Sequence, residues 1–379
     1  MAEMLTAGAV SIGCTLRRMP VVISLQGAVP ADVAVGLSPL AELMACLHSI
    51  AEPEHHLAVR QWLERVRAEL STESQSLIAV YSPLWTRMRC RLLMPLEPPL
   101  GLTLEQELAR LEALSLDDFV MGAAPSVHGG VFDTHGLLTD RAVREAYILS
   151  SERRSFSRGE LARSLFQTPE RTRSGLLELL RRCAAEFFDA EWARVRHRLE
   201  SECTRVRARV QALPLPEALA SLSPNATVGH NPPSVAYDKL QSLRADLRGR
   251  RCLLVPSAHT RPHLIVRDDP PYPLVVHFPV ENTGRQSEQA TLAQVRLRLS
   301  ILSDPARLSL CRHLVNEPIT TSDLAARTGM TLPQVSRHLG RLREAGLLTS
   351  RRDGRQIHHR LDTDCLMRLG VDVLTSIIR

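Results

Sequence analysis

Polar and basic side chains with the chemistry of DNA contacts recur between Gly329 and Leu361. Arg and Gln carry hydrogen-bond groups that pair with guanine and adenine edges in a major groove. Ser hydroxyls and the amino end of a helix suit phosphate oxygens. We expect the DNA contacts to come from Thr331, Gln334, Ser336, Arg337, His338, Arg341, Arg351, Arg352 and Arg355. The segment therefore predicts a nucleic-acid interface.

A helix and a hairpin are predicted to hold these side chains. Val335, Leu339 and Leu342 recur at helical spacing, so they face a core and leave the polar residues on the opposite face. The following "LLTSRRDGRQIHHRL" reads as two strands joined around Asp353-Gly354, a strong hairpin signal. We expect the hairpin arginines to reach the DNA backbone or the minor groove.

Charge is concentrated on the same segment. The whole chain has a formal net charge of +6, and Lys239 is its only lysine, so arginine abundance alone says little. Between Gln334 and Arg360, however, seven Arg stand against only Glu344 and Asp353. Clustering of this kind is what neutralisation of DNA phosphates requires.

Three shorter helices are predicted ahead of this segment. "TLAQVRLRLSILS" places an apolar stripe on one face, and "DPARLSLCRHL" begins with Asp304 as helix cap and Pro305 in the first turn. "TTSDLAARTG" forms a short helix that Thr321 or Ser322 caps and Gly329 ends. The order of helices and hairpin over 291–379 is that of a winged helix-turn-helix.

The residues "SDPARLSLCRHL", "SDLAARTGMTLPQVSRHLGRLREAGLL" and "RRDGRQIHHRL" resemble the ArsR/SmtB family of bacterial transcription regulators over about 80 residues. The resemblance implies a homodimer that binds a palindromic operator in double-stranded DNA and pairs through its first and last helices. The apolar stripe at 292–302 and "CLMRLGVDVLTSII" at 365–378 provide such surfaces. Whether binding represses or activates stays open.

No metal response is expected in the winged helix. Metal sensors of that family carry a Cys-x-Cys pair in the helix before the recognition helix, or Asp and His on the last helix. Here 318–329 has neither Cys nor His, and the last helix offers only Asp364, Cys365 and Asp372. Cys311 is a lone thiol, interpreted as core. We therefore predict no metal ligands and no cofactor.

The rest of the chain is predicted to be mainly helical, which makes the fold class mostly α (α+β). Residues 1–20 form a possible extension, with Met19 as an alternative start, and 21–280 form a regulatory, effector or dimerisation domain. A polar linker covers 281–290. Helices are predicted at 38–50, 55–70, 103–114, 139–150, 158–166 and 173–212, with strands at 21–27 and near 251–280.

The amino-terminal domain more loosely resembles that of long actinobacterial regulators, through "SPLAELMACLHSI", the Trp62 region and "LLVPSAHTRPHLIV". This resemblance implies no known activity. Several enzyme motifs are absent, namely the P-loop, GxGxxG, HExxH and GxSxG. His128, Asp133 and His135 are interpreted as part of a glycine loop, the alternative being an oxyanion loop or a metal site. His259, His263 and His277 lie either on a strand surface or along a ligand pocket.

Composition sets the remaining expectations. No apolar run is long enough to span a membrane, and the eight cysteines are scattered without metal-finger spacing, so we expect a cytoplasmic protein with reduced thiols. The sequence predicts a DNA-binding transcription regulator, not an enzyme, controlled by a small molecule or a partner through its amino-terminal domain rather than by metal. The alternative is an enzyme or protein-interaction domain that the winged helix tethers to DNA.

Overall fold

The computed structural model describes residues 20–53, 56, 60–239, 243–261, 263–280, 290–316, 318–353 and 356–378. The predicted extension at 1–20, including Met19, and the predicted linker at 281–290 lie outside these residues except at their last positions. The described part of the chain contains separate apolar cores for the amino-terminal region and for the carboxy-terminal winged helix.

Ten α-helices and eight strands are described between residues 20 and 280. The helices are α1 (Pro39–Ala51), α2 (Arg60–Glu69), α3 (Thr72–Tyr81), α4 (Leu104–Glu112), α5 (Leu116–His128), α6 (Arg141–Glu152), α7 (Phe156–Gln167), α8 (Pro169–Cys183), α9 (Asp189–Ala212) and α10 (Leu215–Ala220). The strands are β1 (Pro20–Ser24), β2 (Val33–Val35), β3 (Ala226–His230), β4 (Pro233–Asp238), β5 (Leu243–Asp246), β6 (Cys252–Ser257), β7 (Ile265–Arg267) and β8 (Leu274–Pro279).

Most predicted helices are confirmed, and the mainly helical α+β class is correct. The long helix expected over 173–212 is confirmed as a continuous helical run from α8 to α9, into which a π-helical turn is inserted at Ala184–Phe188. The extra residue in that turn shifts the helical face, and both Phe187 and Phe188 are buried. Helices α3, α5 and α10 and strands β2 to β5 were not predicted. In α5 the internal Pro125 weakens the helical signal, although Phe119, Val120, Ala123, Ala124 and Val127 recur at helical spacing and are buried.

Strands β6 and β8 form the centre of one sheet, and the loop that follows β6 carries His259 and His263. The order in this sheet is β2-β6-β8-β7, with β6 parallel to β8. Leu253 and Val255 face the helices α1 to α8, whereas Cys252 and Leu254 face the core formed with α9 and α10. Because both faces are covered, the strand is apolar without alternation, as buried parallel strands are. A second sheet has the order β3-β4-β1-β5.

The winged helix-turn-helix predicted at the carboxyl end is confirmed. Its elements are α11 (Leu292–Leu302), α12 (Pro305–Asn316), β9 (Ile319–Thr320), α13 (Thr321–Thr328), α14 (Leu332–Glu344), β10 (Leu348–Asp353), β11 (Gln356–Leu361) and α15 (Thr363–Ile378). The predicted cap of α13 is wrong by one residue, because the Thr320 hydroxyl accepts the Asp323 N–H. Asp304 caps α12 as expected, accepting the Arg307 N–H at 2.9 Å.

The seven described cysteines are all buried as free thiols, Cys311 among them, in agreement with its interpretation as a core residue. Burial raises the pKa of most of these thiols, for example to about 11 for Cys46. Within the described ranges, no helix combines the length and apolar character needed to cross a lipid bilayer.

Candidate nucleic-acid interface

Helix α14 separates an apolar face from a polar one. Val335, Leu339 and Leu342 are buried against the other helices of the winged helix. Gln334, Ser336, Arg337 and Arg341 are exposed, and His338 is half-buried. Gly329 has a φ of +71°, a left-handed conformation that ends α13 and turns the chain into α14. The predicted contact residues therefore share one accessible helix face.

Thr331 and Gln334 interact with each other at the amino end of α14. The Gln334 side-chain oxygen accepts the Thr331 N–H at 2.9 Å and the Thr331 hydroxyl at 3.0 Å. This is a capping box, which stabilises the first turn of the helix. Only a base contact was predicted for Gln334, and the structure adds a role in holding the helix end.

The arginines of α14 differ in their surroundings. Arg341 pairs with Glu344 at 3.0 Å, and both side chains are more than half exposed. Arg337 makes no ion pair with any residue that the structure describes. A guanidinium without a carboxylate partner keeps its full capacity for bidentate pairing with a base or a phosphate. Arg337 is therefore the strongest candidate for a base contact.

Strands β10 and β11 form the wing. They pair antiparallel, with Arg351 opposite His358 and Arg352 opposite Ile357. Both arginines are exposed, and because successive side chains alternate they point to opposite faces of the hairpin. Gly354 and Arg355, expected at the hairpin tip, lie outside the described residues.

His359 is a positioning residue that the sequence did not single out. It is only 4% exposed, and its ring lies 2.9 Å from the Ser350 hydroxyl on β10 and 3.2 Å from the Thr321 hydroxyl on α13. Burial lowers the pKa of His359 and so favours the neutral ring. The alternation in "QIHHRL", which puts Ile357, His359 and Leu361 on one face, was the available signal. His359 fixes the wing to the helix-turn-helix.

Arg298 connects α11 and α15 to the end of α14. Its guanidinium pairs with Asp372 of α15 at 3.1 Å and donates to the carbonyl of Ala345, the residue after α14, at 3.2 Å. Both charged side chains are about 15% exposed. A movement of α11 or α15 is thereby linked to the position of α14.

Helices α11 and α15 leave apolar side chains uncovered. Met367 is 81% exposed and Ile377 64% exposed on α15, and Leu299 is 45% exposed on α11. The two helices pack together, so these side chains belong to neighbouring elements. The apolar stripe predicted over 292–302 is partly internal, because Val295 is buried.

His259 and His277 of the amino-terminal domain are buried. His259 is 2% exposed and lies between two carboxylates, with Nδ1 2.7 Å from Glu42 and Nε2 2.9 Å from Glu191. Burial alone would lower its pKa, but the hydrogen bonds with Cys46, Glu191 and Glu42 and the charges of the two carboxylates raise it well above the ordinary value. His277 is fully buried on β8, and burial lowers its pKa to about 4. A strand-surface location is therefore wrong for His259 and His277.

His128, Asp133 and His135 do not converge on a catalytic arrangement within the described residues. His128 ends α5, and its ring nitrogens lie 3.0 Å from the Gly130 carbonyl and 3.0 Å from the Ser150 hydroxyl. Asp133 accepts the N–H of His135 at 2.9 Å. These contacts hold a turn, in agreement with the interpretation as a glycine loop.

A basic pocket of about 760 Å³ opens beside the end of α1. Its lining includes Arg87, Arg89, Arg154, Arg158, Lys239 and Arg267, the histidines His48 and His263, and Glu52 as the one acidic residue. Gly129 and Gly130 allow the guanidinium groups of Arg158 and Arg154 to lie against the backbone, where a Cβ would fall within 2.6 Å of them. His263 therefore lines a pocket, one of the two predicted alternatives.

Comparison with known proteins assigns the two parts of the chain separately. Residues 19–284 match the "Family of unknown function (DUF5937)", and residues 302–351 match a "Helix-turn-helix domain". The "Biofilm growth-associated repressor" of Agrobacterium fabrum is 38% identical over 76 residues, which are 20% of this chain and 65% of that protein. The "HTH-type transcriptional regulator NmtR" of Mycobacterium tuberculosis is 38% identical over 85 residues, 22% of this chain and 71% of that protein.

Among solved structures, the "ArsR-like Transcriptional Regulator from Rhodococcus sp. RHA1" is 26% identical, with a TM-score of 0.21, over 21% of this chain and 76% of that one. The chain spans less than two thirds of the length of the first of the curated relatives. The family match covers most of the amino-terminal domain, and the relatives match the winged helix. The chain belongs to the family of unknown function DUF5937 and carries at its carboxyl end the helix-turn-helix domain of an ArsR-family regulator.

Proposed function

We propose that this protein is a sequence-specific transcription regulator that binds a palindromic operator as a homodimer. The exposed face of α14 carries this proposal, because Arg337, which makes no ion pair with a described residue, and the polar residues around it lie opposite a buried apolar face. The arginines of β10 stand beside it in the same domain. Helix and wing together match what phosphate neutralisation and base contacts require.

Dimerisation is proposed to use α11 and α15. Leu299, Met367 and Ile377 expose apolar side chains on two helices that pack together, and contact with a second copy would bury them. Half-sites one helical turn apart, about 34–36 Å, would then follow from the twofold axis. Light scattering should give twice the chain mass for the wild type and a monomer for the Met367→Glu/Ile377→Glu variant.

Control is proposed to come through the amino-terminal domain, by a small molecule or a partner. Within the described winged helix, no three His, Cys, Asp or Glu side chains lie close enough to hold a metal ion. The basic pocket beside α1 offers room for a ligand. Arg298 of α11 contacts Ala345 at the end of α14, so a shift of α11 would reorient α14.

DNA binding is tested by fluorescence anisotropy of the full-length protein on its own upstream region and on scrambled DNA of equal length. We expect a preference for the upstream DNA that Arg337→Ala reduces by 10-fold or more, since one bidentate contact discriminates by about 1–3 kcal/mol. Arg251→Ala is the matched control, because it removes one exposed positive charge outside the winged helix. Equal affinity for both DNAs, untouched by Arg337→Ala, would contradict the proposal.

An enzymatic amino-terminal domain tethered to DNA is the second candidate, since buried titratable groups do converge around His259. The surroundings of His259 argue against it. Both ring nitrogens already contact carboxylates, and the residue is 2% exposed, so it has no free atom to offer a substrate. This arrangement is that of a structural ion pair within a core.

A further inference from the structure

Three imidazole rings meet at one point of the amino-terminal domain. His48 belongs to α1, His56 follows that helix, and His263 follows β6. The ring centroids lie 4.8 Å apart for His48 and His56, 5.4 Å for His48 and His263, and 5.7 Å for His56 and His263. One nitrogen from each ring lies within 4.8 Å of the other two. Residues distant in sequence thus bring three metal-ligating atoms together.

His48 is the buried member of this cluster whose two ring nitrogens lack hydrogen bonds. It is 1% exposed, and neither ring nitrogen has a hydrogen-bond partner among the described residues. Its nearest carboxylate oxygen, on Glu52, is 3.9 Å from Nδ1. Other buried groups also lack partners, such as the ring of His277, so it is the convergence of three rings at His48 that indicates a bound group.

The ring nitrogens of His48 are open to a ligand, because no carboxylate oxygen of the described residues lies within hydrogen-bond distance of them. His259 gives the contrast within the same domain, because its two nitrogens are engaged by Glu42 and Glu191.

We propose that His48, His56 and His263 bind one divalent transition-metal ion of the zinc type. Imidazole is a preferred ligand of zinc, and three histidines with one open position form a known class of reactive zinc site. Zinc–nitrogen bonds of about 2.0–2.1 Å set nitrogen–nitrogen distances of roughly 3.3 Å. The rings would close toward one another by side-chain rotation on loading. Nothing in this proposal depends on DNA binding.

The fourth position of this site is proposed to take an anion. His48 and His263 line the basic pocket, where six Arg and Lys side chains accompany the single acid Glu52. Such surroundings repel a bare cation, but an anionic group can bind the metal and the arginines at once. A carboxylate or a phosphate oxygen of a small molecule has this chemistry. The site would therefore bind an anionic ligand through the metal ion and the surrounding arginines.

The test uses full-length protein without a histidine tag, stripped with a chelator and titrated with Zn²⁺ or Co²⁺. We expect one equivalent of Zn²⁺ by elemental analysis after gel filtration, and visible absorption of Co²⁺ in a tetrahedral nitrogen site. His263→Ala, on a half-buried loop position, should weaken binding at least 100-fold. His48→Gln keeps the side chain polar and should do the same. His197→Ala, an exposed histidine of α9, is the matched control.

Circular dichroism establishes that each variant is folded. Retention of one tightly bound equivalent in both folded cluster variants would overturn the proposal, and so would a wild-type protein that binds no stoichiometric metal. If His48→Gln does not fold, His263→Ala alone decides the matter, because His263 is only half-buried.

Discussion

The two domains place their charged groups in opposite ways. In the winged helix the arginines of α14 and β10 are exposed, and the buried polar side chains among its described residues are Thr320 and His359. In the amino-terminal domain charged and polar groups lie inside, where Glu42, His259 and Glu191 form a nearly fully buried chain. Exposed charge is available to a partner such as DNA. Buried charge must be matched within the protein, or by something bound to it.

This contrast explains why sequence sufficed for one domain and not for the other. The winged helix depends on local signals, namely the caps Asp304 and Thr331, the turn at Gly329 and the period of Val335, Leu339 and Leu342. The site around His48 depends on contacts between residues more than 200 positions apart, such as His48 and His263. No local period encodes such a contact, so it becomes visible only when α1 packs against the loop after β6.

The largest loss of stability is expected when the buried ion pair between Glu42 and His259 is broken. Glu42→Gln leaves the His259 imidazolium with Glu191 as its remaining carboxylate, although the amide can still accept the Ala258 N–H. Removing one partner of a buried pair typically destabilises by about 3–5 kcal/mol, and we expect the lower end because that hydrogen bond survives. Urea denaturation followed by tryptophan fluorescence measures this domain alone, because Trp62, Trp85 and Trp192 all lie in it.

The matched control for Glu42→Gln is Glu344→Gln, which removes the carboxylate of the exposed Arg341–Glu344 pair in the winged helix. Exposed pairs add little to stability, so circular dichroism should show no resolvable change for this variant. If the two substitutions destabilised their domains equally, the buried ion pair would contribute no more to stability than the exposed one, contrary to this prediction.

A pH effect of similar size is expected at Glu107. This carboxyl is 8% exposed and accepts the Leu40 N–H at 2.8 Å, and burial raises its pKa to about 7 against the ordinary 4.5. The folded state thus holds a proton that the unfolded state releases from pH 4.5 upward, so stability falls as the pH rises from 4.5 to 7. Above pH 7, the free energy of unfolding is therefore about 3 kcal/mol lower than it is below pH 4.5.

Glu107→Gln removes this titration while its side-chain oxygen can still accept the Leu40 N–H. The variant should be more stable than the wild type at pH 8, with the difference shrinking steadily toward pH 5. Unfolding free energies from tryptophan fluorescence at several pH values measure it. A constant difference between the two proteins at every pH would refute the role of burial at this position.

The smallest effect concerns Gln334, which serves both domain stability and the proposed DNA contact. Gln334→Ala removes the capping box, for which a loss of about 1 kcal/mol in winged-helix stability is expected, and it also removes an exposed amide. Gln334→Glu separates the two roles, because Glu is equally able to accept the Thr331 N–H and suits the positive end of the helix. Its stability should equal that of the wild type.

The negative charge of Gln334→Glu should nevertheless repel the DNA phosphates and the hydrogen-bond acceptors of the base edges. It should therefore lower DNA affinity at least as much as Gln334→Ala does. Circular dichroism melts and anisotropy titrations on the same preparations give the two readouts. Wild-type DNA affinity for Gln334→Glu would mean that Gln334 acts only as a cap. In that case the proposed DNA contacts of α14 would be limited to Ser336, Arg337 and His338, because Arg341 pairs with Glu344.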